Sequence, residues 1–99
     1  MTRFDRFVAH LKASQPFRRR LVVRRVAMGL DGNTTLSGSF RTITISIHKN
    51  LPFDRARDAL VHEWGHAAEM DDWEPHGEVW GKHQALAYRA WEEFWEAGN

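Results

Sequence analysis

The run Pro52-Phe53-Asp54-Arg55-Ala56-Arg57-Asp58-Ala59-Leu60-Val61-His62-Glu63-Trp64-Gly65-His66-Ala67-Ala68-Glu69-Met70 decides how the rest of the chain is read. Ala56, Ala59, Leu60, Glu63, Ala67 and Met70 recur at spacings of three and four, which predicts a helix from about residue 53 to 70. Pro52 stands where a helix start tolerates proline, and Asp54 and Asp58 lie toward the positive end of the helix dipole. On such a helix His62 and His66 share one face a turn apart, with Glu63 beside it. Two imidazoles able to converge on one cation, next to a carboxylate that need not ligate, are the parts required for a metal to activate water and a general base to take its proton. Gly65 costs such a helix about 1 kcal/mol relative to alanine. Close approach to a sheet or to substrate would account for it, and so would simple tolerance.

A catalytic zinc keeps three protein ligands and leaves the fourth position for water. His76 is the third donor that the sequence offers most directly. It lies in Glu74-Pro75-His76-Gly77, where proline and glycine imply a turn that folds back toward the first two ligands. His10 belongs to an N-terminal helix and His48 ends a strand, and a lone histidine in either setting is more often structural than ligating. His83 is a reserve ligand or a supporting residue. Glu92, Glu93 and Glu96 on the last helix provide the alternative of a glutamate ligand.

Leu60-Val61-His62-Glu63-Trp64-Gly65-His66, followed by His76-Gly77-Glu78-Val79-Trp80, resembles the SprT-like zinc metalloprotease family, over about residues 40 to 95. The resemblance implies a minimal zincin holding one Zn²⁺ on His62, His66 and His76, with Glu63 as catalytic base. It implies hydrolysis of peptide bonds in a protein or peptide substrate. The chain has no cysteine, so the cysteine-rich zinc ribbon of larger family members has no counterpart here.

Working outward, Phe4, Phe7, Val8 and Leu11 mark a short amphipathic helix ended near Pro16. Leu21 to Met28 reads as a strand, Asp31-Gly32-Asn33 as a turn, and Thr34 to Ile47 as one or two strands with Ser37-Gly38-Ser39 as a turn or bulge. In Thr42-Ile43-Thr44-Ile45-Ser46-Ile47 the alternation puts three isoleucines on one face, which should cover the histidine-bearing helix. From Gly77 onward an apolar stripe predicts a last helix, with Trp80, Trp91 and Trp95 as core and core-edge residues. The expected architecture is one α+β domain over residues 1–99: an N-terminal helix, a small antiparallel sheet, the active-site helix and a C-terminal helix. Tyr88, Arg89 and His83 are available to stabilise an oxyanion, none of them secured by spacing.

The net charge of +1 conceals a division. Residues 1–50 hold ten Lys/Arg against two acids, and residues 51–99 hold four against eleven, so the halves carry +8 and −7. A basic half of this kind fits nucleic acid as a partner, with Arg18-Arg19-Arg20 and Arg24-Arg25 as the concentrated part and Phe17 able to stack on a base. The more usual role of such a charge run is to pair with the acidic half or to flank a strand as solvated edge residues. The absence of an 18-residue apolar run, and of an apolar core after Met1-Thr2-Arg3-Phe4-Asp5-Arg6, points to a cytoplasmic protein without a membrane partner. Two further functions fit the same residues: a nucleic-acid-associated adaptor with a structural or inactive zincin fold, and a metal-dependent hydrolase of a non-protein amide or ester.

Overall fold

The computed structural model describes residues 1–71 and 77–98. In chain order its elements are α1 (Arg3–Ser14), β1 (Arg20–Val26), β2 (Gly32–Ser37), β3 (Thr42–His48), α2 (Phe53–Asp71) and α3 (Gly77–Glu96). The expected α+β layout is therefore present, with both long helices close to their predicted bounds.

The sheet differs from expectation in one respect: it is mixed, not antiparallel. Its strand order is β1-β3-β2, with β1 parallel and β2 antiparallel to β3. The reason lies in β3, whose Ile43, Ile45 and Ile47 are all fully buried. Placing the most apolar strand in the centre satisfies its backbone groups on both edges, so the chain crosses from β1 past the end of β3 before returning through the β2–β3 turn. Alternation along a strand fixes its buried face, not its place in the sheet. The Gly38-Ser39-Phe40-Arg41 turn uses positive φ at Gly38, Ser39 and Phe40 (63°, 58° and 67°).

The isoleucine face packs on α2, which buries Ala56, Leu60, Val61, Trp64, Ala67 and Ala68. α1 begins with a capping box in which the Asp5 amide donates to Thr2 Oγ1 and the Thr2 amide donates to Asp5 Oδ2, each at 3.1 Å. These bonds hold the Asp5 carboxyl below its ordinary pKa. Phe7 of α1 meets Trp91 and Phe94 of α3 at centroid distances of 5.3 and 5.4 Å, so the two helices close the same core. Trp91 sits at the core edge as expected. Trp95 does not: it is 58% exposed, with the Arg3 guanidinium 4.8 Å from its ring. The side chain of Trp80 lies outside the described residues.

Two arginines of the basic half lock this arrangement. Arg19 donates from Nη1 to the carbonyls of Met70 and Asp71, both at 3.0 Å, where the C-terminus of α2 leaves acceptors without helical partners. Asp71 returns the contact by accepting the Arg18 and Arg19 amides at 2.9 Å each. Arg25 donates to the carbonyls of His48, Lys49 and Leu51 and lies over the Phe4 ring, fixing the connection from β3 into α2. Burial pushes the Arg25 pKa down, and the charge of Asp5 offsets this only in part. No described helix is long and apolar enough to cross a membrane.

Candidate metal and catalytic site

The third and fourth turns of α2 carry the predicted residues, and the helix brings His62 and His66 together as the spacing requires. Their Nε2 atoms are 3.3 Å apart, with the rings nearly perpendicular at 78°. Two nitrogens each about 2.0–2.1 Å from one tetrahedral zinc lie about 3.3–3.4 Å apart, so the pair already has the separation that a shared ion demands. The same distance permits a ring-to-ring hydrogen bond when one Nε2 is protonated, and a metal would take the place of that proton. His62 is exposed and His66 half-buried. Glu69 Oε2 stands 4.0 Å from His66 Nδ1, too far for a hydrogen bond but on the side away from the paired nitrogens.

Glu63 is held differently. It is 9% exposed, among the few buried polar residues of the core, and its carboxylate is anchored from the sheet. Thr34 Oγ1 lies 2.9 Å from Glu63 Oε1 and 3.2 Å from the Glu63 carbonyl, so one hydroxyl on β2 addresses both ends of that residue. Thr34 faces α2 because its strand register matches Ile45, the central isoleucine of the covered face. Among the described residues no hydrogen bond engages Oε2, which leaves that oxygen available for a proton.

β2 reaches the site with a second residue, Gly32. A Cβ there would stand 3.0 Å from Ile47 Cδ1, 3.1 Å from Glu63 Cγ and 3.2 Å from the Ser46 carbonyl oxygen. All three are inside ordinary carbon contact of about 3.5–4.0 Å, so only glycine lets β2 approach the carboxylate this closely. Neither Thr34 nor Gly32 was singled out by the sequence. Asp31-Gly32-Asn33 reads as a turn, which hides the fact that Gly32 opens a strand. A cleft of about 510 Å³ lies beside His62 and Glu63, walled by Leu30, Asp31, Gly32, Arg55, Asp58 and Ala59.

Among the described residues, no third histidine, aspartate or glutamate joins His62 and His66 in a group able to hold a metal. The predicted third ligand, His76, lies outside the described residues. His83 hydrogen-bonds through Nδ1 to Gln15 Oε1 at 3.4 Å, the oxygen that also accepts from Trp64 Nε1 at 3.3 Å. Glu93 instead lies 3.8 Å from His10 Nε2 on the α1 side of α3. His48 accepts the Asn50 amide at Nδ1, a turn contact. Tyr88, Arg89 and His83 are not among the described residues that wall the cleft. Phe17 packs edge-on against buried Trp64 at 5.1 Å, as a core-edge residue.

No protein-family model matches the chain, and no curated protein or solved structure is significantly similar to it.

Proposed function

We propose that the chain is a cytoplasmic zinc-dependent metallopeptidase in which His62, His66 and His76 hold one Zn²⁺ and Glu63 is the general base, as the resemblance to the SprT-like metalloproteases implies. The observation that carries this reading is the 3.3 Å separation of the His62 and His66 Nε2 atoms beside a carboxylate that stands outside the pair. Zinc bound there would bring a water's pKa toward neutrality and polarise a peptide carbonyl.

The chain's own residues supply the rest. Thr34 donates to Glu63 Oε1 and so fixes the carboxylate plane, leaving Oε2 to accept the water's proton and then to hand it to the leaving amine. Burial of Glu63 against Gly32 and Ile47 limits the space in which it can swing. β2 is an edge strand next to this carboxylate, so its outward backbone groups can pair with an extended peptide, which favours a polypeptide substrate over a small amide.

Glu63→Gln tests the assignment. It should keep the zinc content of the wild type, measured by elemental analysis, and lose most hydrolysis of an unfolded protein such as casein. Equal turnover by the two proteins would remove Glu63 from its role. Loss of zinc from His76→Ala completes the ligand assignment, and unchanged zinc affinity in that variant would transfer the third position to another donor.

A further inference from the structure

Apart from Arg6 on α1, the arginines of the basic half divide into two groups. Arg19 and Arg25 are committed to main-chain carbonyls, and Arg3 lies against the rings of Phe53, Trp91 and Trp95. By contrast, Arg18, Arg20, Arg24 and Arg41 have no carboxylate within ion-pair distance among the described residues, and all four are exposed.

Sheet register places Arg20 and Arg24 on one surface. Leu21 and Val23 pack toward the core, so Arg20, Val22, Arg24 and Val26 point the other way, level with Thr42, Thr44, Ser46 and His48 of β3. Across β3 the same surface continues through Thr44 to Thr35 and Asn33. This is the sheet face opposite the one that α2 covers, and no aspartate or glutamate belongs to its strands. Arg24 is pre-set: its Nε donates to Ser46 Oγ at 2.9 Å, which lays the guanidinium along the sheet with its terminal nitrogens free for another acceptor. Arg20 and Arg24 stand about 13 Å apart along the strand, at the usual rise per residue. Arg41 adjoins Arg20, whose amide donates to the Arg41 carbonyl at 3.2 Å.

Next to Arg41 is Phe40, 66% exposed at φ 67°, a backbone region unfavourable for a bulky residue. Arg19 Nε holds the Phe40 carbonyl at 2.7 Å, so the turn is fixed with the ring outside the core. Strands without acids that present arginines and hydroxyl or amide donors around Val22 and Val26, with an exposed ring at the end of the face, have the chemistry that single-stranded nucleic acid requires: cations for phosphates, donors for the sugar–phosphate backbone and a platform for a base.

We propose that this outer sheet face binds single-stranded nucleic acid, with Arg20, Arg24 and Arg41 on phosphates of one strand and Phe40 stacked on a base. The proposal is independent of the peptidase reading, because no residue of the face belongs to the metal site. It replaces Phe17 by Phe40 as the stacking residue, since Phe17 is taken up by Trp64.

Fluorescence anisotropy of a labelled 20-nucleotide single strand, titrated with the 99-residue chain over a series of salt concentrations, tests it. Each phosphate neutralised on a single strand contributes about −0.7 to the slope of log K against log salt, so three arginines predict a slope of roughly −2. The triple variant R20Q/R24Q/R41Q should flatten that slope and lower affinity at low salt. R6Q/K12Q, which removes two exposed cations from α1, should leave both unchanged. Phe40→Asn retains a residue suited to positive φ and should weaken binding about tenfold without altering the slope. Circular dichroism establishes that each variant folds, and single R24Q replaces the triple variant if that one does not. Equal loss from R6Q/K12Q and R20Q/R24Q/R41Q would overturn the proposal. So would absence of oligonucleotide binding at low salt, or binding of anionic phospholipid vesicles alone.

Discussion

Replacing Gly32 by alanine isolates the contact that seats the Glu63 carboxylate. The glycine does not have a left-handed φ, so alanine meets no backbone strain and the outcome depends on space. The added methyl would meet Ile47 Cδ1 at 3.0 Å, Glu63 Cγ at 3.1 Å and the Ser46 carbonyl oxygen at 3.2 Å. Ile47 is fully buried and the Ser46 oxygen is part of the backbone of the central strand, so neither yields readily. Glu63 is the neighbour able to move. Crowding of this sort costs about 1–3 kcal/mol, while exchanging glycine for alanine returns about 0.4–1 kcal/mol by restricting the unfolded chain. The expected net loss is about 1 kcal/mol, a fall in Tm of roughly 4–8 °C for a domain of this size. Swinging Cγ by a few tenths of an ångström strains the 2.9 Å bond from Thr34 and, with Glu63 as the proposed base, roughly a tenfold loss of hydrolysis is expected. His62 and His66 are untouched, so zinc content should not change. Thermal unfolding followed by circular dichroism, run beside casein hydrolysis and zinc analysis, reads all three quantities. A Gly32→Ala protein that melts at or above the wild-type temperature and hydrolyses at the wild-type rate would refute the reasoning.

Thr34→Val removes the hydroxyl while keeping the shape, and loss of a hydrogen bond to a charged group, worth about 1.5–3 kcal/mol, should lower kcat tenfold to a hundredfold; Thr34→Ser should restore most of it, and equal rates in Val and Ser would deny the hydroxyl a part. Arg19→Ala leaves Asp71 and the last carbonyls of α2 without their cation; because both side chains are nearly buried, about 3 kcal/mol of stability should be lost in a urea titration, and a loss below 0.5 kcal/mol by the same order of reckoning would contradict the clamp. Zinc at a hundredfold excess over its Kd should raise Tm by roughly 10–20 °C through binding only the folded chain, a shift that the His62→Ala, His66→Ala double variant should not show.

Much of this was readable in advance because the informative residues act locally. The period of three and four from Ala56 to Met70 fixed α2 within a residue, and the four-residue interval between His62 and His66 follows from helix geometry alone. The alternation of Ile43, Ile45 and Ile47 identified the buried face in the same way. What escaped notice depends on pairing between distant segments. Nothing about Gly32 or Thr34 announces that they will lie against a carboxylate some thirty positions later, since that contact is set by the order of strands. Arg19 is similar: beside Arg18 and Arg20 it reads as one of a basic triplet, whereas the fold gives it the last carbonyls of α2. Hydrophobic spacing reports which side of an element is covered, and leaves open which neighbour covers it.

The open edge of β2 has an implication for handling the protein. Gly32-Asn33-Thr34-Thr35-Leu36-Ser37 contains neither a charge nor a proline, the usual guards against unwanted strand pairing. A backbone edge capable of receiving an extended peptide is equally capable of receiving its own copy from another molecule. Concentrated samples should therefore self-associate through β2, and an unreactive peptide laid along that edge should keep them dispersed.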